Sequence, residues 1–320
     1  MSLSQGPITD PYEGIGVTLN PDGSITRAAE APKTPASDDP NNEVLSKDLP
    51  LNPTTNTSVR LFLPQKSLSA TAKLPVIIYI HGGGFVILNA SSTSFHDFCS
   101  LIAIETPALV VSIEYRLAPE HRLPAAYEDC MDAIHWIKTT TESDWVTKYA
   151  DLSNCFIMGT SAGANAAYNI CLRADDVKPL KINGLILHQP FFGGVERTAS
   201  ETRLANAKVL PLCVSDLMWE LSLPLGFGRD HEYCNVVKGF KEENFDVIRK
   251  QGLKVTVTGC DGDLLIDRQV EFVKVLKEKG VDIVGKFVEG EYHGYDFFEL
   301  SKSGHILDAI KEIINSTNSI

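Results

Sequence analysis

Two hydrophobic periods divide this chain. Residues 74–80 are almost uninterruptedly apolar and rich in β-branched side chains, with Gly82 just beyond. Such a run reads as a strand buried on both faces. Another buried strand is predicted at 108–115 and a short apolar one at 155–158, and strands are also predicted at 59–63, 182–188, 255–258 and 283–288. Between them the apolar residues recur at helical spacing. Helices are predicted over 94–105, 124–139, 162–173, 268–279 and 304–314, the second with Pro124 where its first turn begins.

Strands alternating with helices imply right-handed crossovers and a mostly parallel central sheet flanked by helices, an α/β architecture. Val17-Thr18-Leu19 and Ser24-Ile25-Thr26 flank Asn20-Pro21-Asp22-Gly23, which predicts a small hairpin. Residues 28–46 are rich in Pro, Ala, Asp and Asn and read as loop, so 1–46 is expected to form an N-terminal arm. The rhythm breaks over 191–246, where one helical segment (212–221) lies between loop-like stretches. That interval is longer than one crossover requires. It is expected to be an insertion over the C-terminal edge of the sheet, where ligands bind in such folds. With the arm it would make a helical cap on a core formed by 47–190 and 247–320.

Composition narrows the class. A chain of 320 residues buries a large core without staples. Apolar content of 43% and charged content of 22% are those of a soluble globular protein. The net charge of −12 argues against a nucleic-acid or anionic-membrane surface, which would need a basic face. No stretch reaches the roughly 18 apolar residues of a membrane span, and residues 1–15 have neither the basic region nor the apolar run of a secretory leader. Seven scattered cysteines, an odd count with no C-x-x-C, argue against a disulfide framework or a zinc site and for free thiols in a reducing compartment. The expectation is a cytoplasmic protein with no nucleic-acid or membrane partner and no metal. Nothing in the pattern indicates an oligomeric state.

Chemistry enters through two glycine-rich segments. Gly159-Thr160-Ser161-Ala162-Gly163 fits G-x-S-x-G, a pattern that chance supplies in roughly one chain of this length in ten. Its position, where a strand ends and a helix begins, is what a nucleophile elbow requires. There a serine hydroxyl stands clear of the sheet, and the helix N-terminus offers N–H groups to a developing anion. His81-Gly82-Gly83-Gly84-Phe85 follows the strand predicted at 74–80. Glycines without Cβ let backbone N–H groups face a substrate oxygen, so Gly83, Gly84 and Ala162 are candidate oxyanion donors. A phosphate loop would need G-x-G-x-x-G or G-K-[ST], which is not present here. His81 reads as an anchor of the loop.

A serine nucleophile needs a general base. In this chain order the acid and then the histidine come after the serine, which leaves His293 and His305. His305 lies inside a predicted helix, whereas His293 follows the strand at 283–288 and is the candidate. The orienting carboxylate should follow the strand at 255–258, where Asp261, Asp263 and Asp267 are available. Asp267 reads as a helix-start residue; spacing does not choose between the other two. An imidazole so held takes the serine proton, and its carboxylate fixes the tautomer. No metal or organic cofactor is needed. Phe85, Val86, Leu217, Met218, Leu221 and Tyr295 are candidate pocket-wall residues, apolar or aromatic, and point to a small, largely apolar ester.

These motifs, together with Tyr115-Arg116-Leu117-Ala118-Pro119-Glu120 and Pro124-Ala125-Ala126-Tyr127, occur in one order over most of the chain. The sequence resembles plant carboxylesterases of the hormone-sensitive lipase-like α/β-hydrolase family. The resemblance implies the α/β-hydrolase fold and a serine esterase of small plant metabolites, with an acyl-enzyme. It aligns Gly262-Asp263-Leu264-Leu265-Ile266-Asp267 with the family's Gly-Asp-Pro-Leu-x-Asp and so selects Asp263. Leu264 in place of proline makes this loop less stiff, and Thr160 stands where the family usually has an acid. The resemblance also implies structural roles for Asn165 and for Arg116 paired with Glu120 or Asp129. The same family includes hormone receptors that lack the histidine, and dehydratases and cyclases that use the same pocket.

Overall fold

In the computed structural model the described residues are 10–27, 31–141, 143–174, 177–178 and 180–317. Residues 1–9 and 28–30 of the expected arm lie outside them. Among the described residues ten strands are formed: β1 Val17–Leu19, β2 Ile25–Arg27, β3 Val44–Asn52, β4 Thr57–Pro64, β5 Leu74–Ile80, β6 Leu109–Glu114, β7 Ala150–Thr160, β8 Ile182–His188, β9 Lys254–Gly262 and β10 Ile283–Tyr292. β1 and β2 form the small antiparallel hairpin. The other eight make one sheet in the order β10-β9-β8-β7-β5-β6-β4-β3. Its neighbours from β10 through to β6 run parallel; β4 is antiparallel to both β6 and β3.

The apolar runs make sense strand by strand. Successive side chains of a strand point to opposite faces. On β5, Val76, Ile78 and Ile80 enter one core layer while Ile77 and Tyr79 enter the other. Cys155 and Ile157 against Phe156 and Met158 on β7 repeat the division. Helices cover both faces: Thr93–Glu105 and Gly304–Thr317 on the second layer, Ala125–Thr139, Ala162–Cys171 and Ile266–Glu278 on the first. Each fully buried valine, isoleucine or phenylalanine contributes about 1.5–3 kcal/mol over its exposed state.

Several elements depart from the sequence expectation, among them one strand and two helices. β3 was expected as loop through residue 46. It is an edge strand whose exposed positions are Asp48 and Pro50, with Lys47 half-buried, and it tolerates Pro50 because only one side is paired. The helices Asp144–Tyr149 and Glu242–Gln251 were also not expected. The second is short, buries only Phe245 and Ile248, and stops at Gly252 in the left-handed conformation. The helix Leu212–Ser222 forms where a helical segment was expected, and the short helix Pro11–Gly14 packs against it. Among the described residues no helix is long and apolar enough to cross a membrane.

Candidate active site

β7 ends at Thr160, and the chain turns through Ser161 into the helix Ala162–Cys171. Ser161 adopts φ 55°, ψ −117°, a strained conformation for a residue with a Cβ. Glycine is required on either side because the backbones touch. A Cβ on Gly159 would lie 2.0 Å from the Gly163 carbonyl oxygen, and one on Gly163 would lie 2.0 Å from that of Ile80. Backbone bonds hold the strained residue in place. Its N–H donates to the His188 carbonyl at 2.9 Å, and its carbonyl accepts from Phe191 N–H at 3.0 Å and Ala164 N–H at 3.0 Å. Asn165 braces the elbow: it accepts from the Tyr127 hydroxyl at 2.6 Å and donates to the carbonyls of Phe191 and Tyr233. Thr160 is fully buried, its hydroxyl 2.9 Å from that of Tyr79.

The loop after β10 brings His293 to the serine. Its Nε2 lies 3.0 Å from Ser161 Oγ, and its Nδ1 lies 2.8 Å from Asp263 Oδ2. A proton on Nδ1 given to the carboxylate leaves the Nε2 lone pair free to accept the serine hydroxyl. Both partners are buried, Asp263 completely. Asp263 Oδ1 accepts from Leu265 N–H, and Oδ2 accepts from the Gln269 side-chain amide, each at 3.0 Å. The alternatives left open by spacing separate cleanly. Asp261 is exposed and accepts from Gly290 N–H at 2.8 Å, and Asp267 accepts from Ser200 N–H at 2.7 Å. His305 sits half-buried on the helix Gly304–Thr317.

The glycine loop leaves the end of β5. Gly83 has φ +108° and Gly84 φ +60°, conformations that favour glycine. Ala162 is the first residue of its helix, so its N–H has no intrahelical acceptor. Among the described residues, the N–H groups of Gly83, Gly84 and Ala162 donate to no backbone carbonyl outside regular elements. His81 lies wholly buried beneath the loop, stacked on Tyr115 with ring centroids 4.2 Å apart and its Nδ1 2.8 Å from the Gly82 carbonyl. Burial holds its imidazole down at about 4, so it is neutral at pH 7.

The six expected wall residues are all buried but do not share one environment. Met218 stands against the loop: a Cβ on Gly84 would come 2.1 Å from its sulfur. Leu217 and Leu221 are on the same helix, and Ser222 at its end donates to the Gly84 carbonyl at 3.0 Å. Tyr295 follows His293 by two residues and packs on Tyr292. Phe85 and Val86 sit in the core, the Phe85 ring against Tyr115, Tyr127 and Trp219. A cavity of about 580 Å³ is lined by residues including Ile15, Arg27, Pro32, Leu88, Leu117 and Glu120; among the described residues its lining holds neither Ser161, Asp263 and His293 nor Gly82, Gly83 and Gly84 nor any of the six expected wall residues. Sequence reasoning had not assigned these residues to a pocket. Arg27 joins the hairpin to this region, donating to the carbonyls of Val86 and Ala118 and pairing with Glu120 at 2.8 Å. Arg116 pairs with Asp129 rather than Glu120.

A serine on a strained strand-to-helix turn, facing a histidine backed by a carboxylate on this sheet, defines the class of α/β-hydrolases. A family model for the alpha/beta hydrolase fold matches residues 77–297. The chain is 47% identical to carboxylesterase 20 of Arabidopsis thaliana, covering 97% of this chain and 98% of that protein. It is 46% identical to 3-O-acetylpapaveroxine carboxylesterase CXE1 of Papaver somniferum, covering 96% and 98%. Among solved structures, a hyperthermophilic esterase from the archaeon Pyrobaculum calidifontis superposes with a TM-score of 0.71 at 24% identity, over 87% of this chain and 84% of that one. The chain belongs to the plant carboxylesterases of the hormone-sensitive lipase-like α/β-hydrolase family. It is a carboxylic-ester hydrolase.

Proposed function

We propose that this enzyme cleaves short- to medium-chain acyl or acetyl esters of small, largely apolar plant metabolites through an acyl-enzyme on Ser161. The observation that carries the reading is the 3.0 Å contact between Ser161 Oγ and His293 Nε2, continued at 2.8 Å to Asp263. His293 takes the hydroxyl proton as Oγ attacks the ester carbonyl. The oxyanion is met by the N–H groups of Gly83, Gly84 and Ala162. His293 then protonates the leaving alcohol, and water activated by the same ring releases the acid and frees Ser161. Asp263 stays ionised and stabilises the imidazolium. On this reading residues 10–27 and 31–43 of the arm, with the 191–246 insertion, make the cap over this site. Support for an acetylated substrate comes from the Papaver relative, whose name specifies 3-O-acetylpapaveroxine.

The test is a fluorophosphonate label located by mass spectrometry, with p-nitrophenyl acetate and butyrate as substrates. The label is expected on Ser161, and Ser161→Ala and His293→Ala are expected to abolish turnover. Ligand binding with neither adduct nor turnover would favour a receptor; turnover of a metabolite by elimination, unaffected by Ser161→Ala, would favour a dehydratase or cyclase.

A further inference from the structure

Gln189 is the first residue after β8 and is completely buried. It adopts φ +46°, a left-handed conformation rare for a residue with a Cβ, and it does so immediately before Pro190, where extended backbone is favoured. Its backbone N–H is fixed by the Thr258 carbonyl of β9 at 2.7 Å. The strained backbone aims the side chain past β9 into the loop that carries His293. There the amide oxygen accepts from Gly294 N–H at 2.6 Å, and the amide nitrogen reaches the Tyr292 carbonyl at 3.4 Å. One primary amide thus grips the residue before His293 and the residue after it. Among the described residues its one further side-chain hydrogen bond is a long one, 3.4 Å to Cys260 Sγ.

The same strand end holds the nucleophile, since the carbonyl of His188 accepts from Ser161 N–H. The His188 ring also faces Asp296, three residues beyond His293, at 2.8 Å without hydrogen-bond alignment. The spacing between serine and imidazole is therefore set from the end of β8, a strand that contributes neither group.

We infer that Gln189 is a positioning residue whose side-chain amide brackets His293 and sets the reach of its ring to Ser161. This rests on His293 being the base. A buried polar residue could be retained merely to fill space, and Gln189→Met separates the two roles. Methionine fills nearly the same volume and supplies neither hydrogen bond. The full chain is assayed with p-nitrophenyl acetate. Gln189→Met and Gln189→Ala are expected to lower kcat by roughly 10–100-fold, as loss of an outer-layer partner does at other sites. KM should stay within about twofold. Gln189→Glu, which keeps an acceptor for Gly294 N–H, should fall between these and wild type and serves as the test if the methionine variant does not fold. The low-field Nδ1–H proton resonance of His293 should broaden in the methionine variant at unchanged far-ultraviolet dichroism. A folded Gln189→Met with kcat within threefold of wild type overturns the proposal, as does an effect confined to KM. His293→Ala is the control: if it stays active the base assignment fails, whereas an inactive His293→Ala beside a fully active Gln189→Met sinks only the bracket.

Discussion

Alanine at Gly83 tests whether the glycine loop acts through its backbone. A Cβ there would lie 2.0 Å from the Ile87 carbonyl oxygen and 2.9 Å from its carbon. Neither atom can swing aside as a side-chain tip would, because Val86 and Ile87 N–H both close onto the Gly83 carbonyl at 3.0 Å. The φ of +108° adds strain for any residue but glycine. The 83–84 peptide must therefore rotate, which takes at least one N–H away from the oxyanion position. Loss of one such donor costs about 2.7–4 kcal/mol, or 10²–10³ in kcat. Gly84 is the internal comparison. Its φ of +60° is one alanine adopts for about 1–2 kcal/mol, and its obstruction is the thioether of Met218 at 2.1 Å. Methionine has three rotatable side-chain bonds and yields more readily than backbone. Gly84→Ala is accordingly expected to lose less kcat than Gly83→Ala, and Met218→Ala in the same chain to return much of that loss. The assay is kcat and KM on p-nitrophenyl butyrate for the single and double variants, with thermal unfolding to confirm that each is folded. A folded Gly83→Ala enzyme within threefold of wild-type kcat would refute the reasoning; a Gly84→Ala loss that Met218→Ala leaves untouched would refute its steric half.

Two other outcomes are expected. Asp263→Asn should lower kcat by about 10⁴-fold with the fold intact, as an asparagine favours the wrong imidazole tautomer, whereas Asp261→Asn, at an exposed carboxylate on Gly290, should change it less than fivefold by the same assay. Glu114 predicts a pH effect: burial pushes its carboxyl from 4.5 up to about 7, against the Ala90 N–H bond that favours the charged form. The folded state then binds the proton more tightly than the unfolded chain, so stability falls as pH rises from about 4.5 to about 7. Glu114→Gln should unfold at a higher temperature than wild type at pH 8, by about 1–2 kcal/mol after allowance for its partial exposure, and with wild type at pH 4; equal midpoints at both pH values would exclude the effect.

The sheet was legible because its central strands are buried on both faces and so read as unbroken apolar runs. The edge was not. β3 alternates around Lys47, Asp48 and Pro50, a pattern that is strand only because β4 lies beside it. The two glycine motifs were legible because their need is local: Gly159 and Gly163 are forced by contacts within one turn and with the end of β5. The choice between Asp261 and Asp263 was not. Two residues apart, they differ in burial and in what the folded chain places opposite them, a backbone amide of Gly290 in one case and the His293 imidazole in the other. Gln189 was invisible for the same reason, since its partner Gly294 lies 105 residues on, and Gln269 because its bond to Asp263, six residues earlier, depends on how the chain turns from β9 into the next helix. The pocket-wall residues were chosen by apolarity near the motifs, and apolarity does not distinguish Phe85, packed in the core, from Met218, set against Gly84.

Glycine loop, serine, glutamine, carboxylate and imidazole each leave a different strand: β5, β7, β8, β9 and β10, consecutive neighbours in space. No fragment of the polypeptide contains the working assembly, and a slip of one residue in any of four interstrand registers would scatter it. Such long-range pairings close slowly and late. Turnover in a refolding experiment therefore serves as a timer for completion of the β10-to-β5 part of the sheet, and it should lag behind the return of helical dichroism.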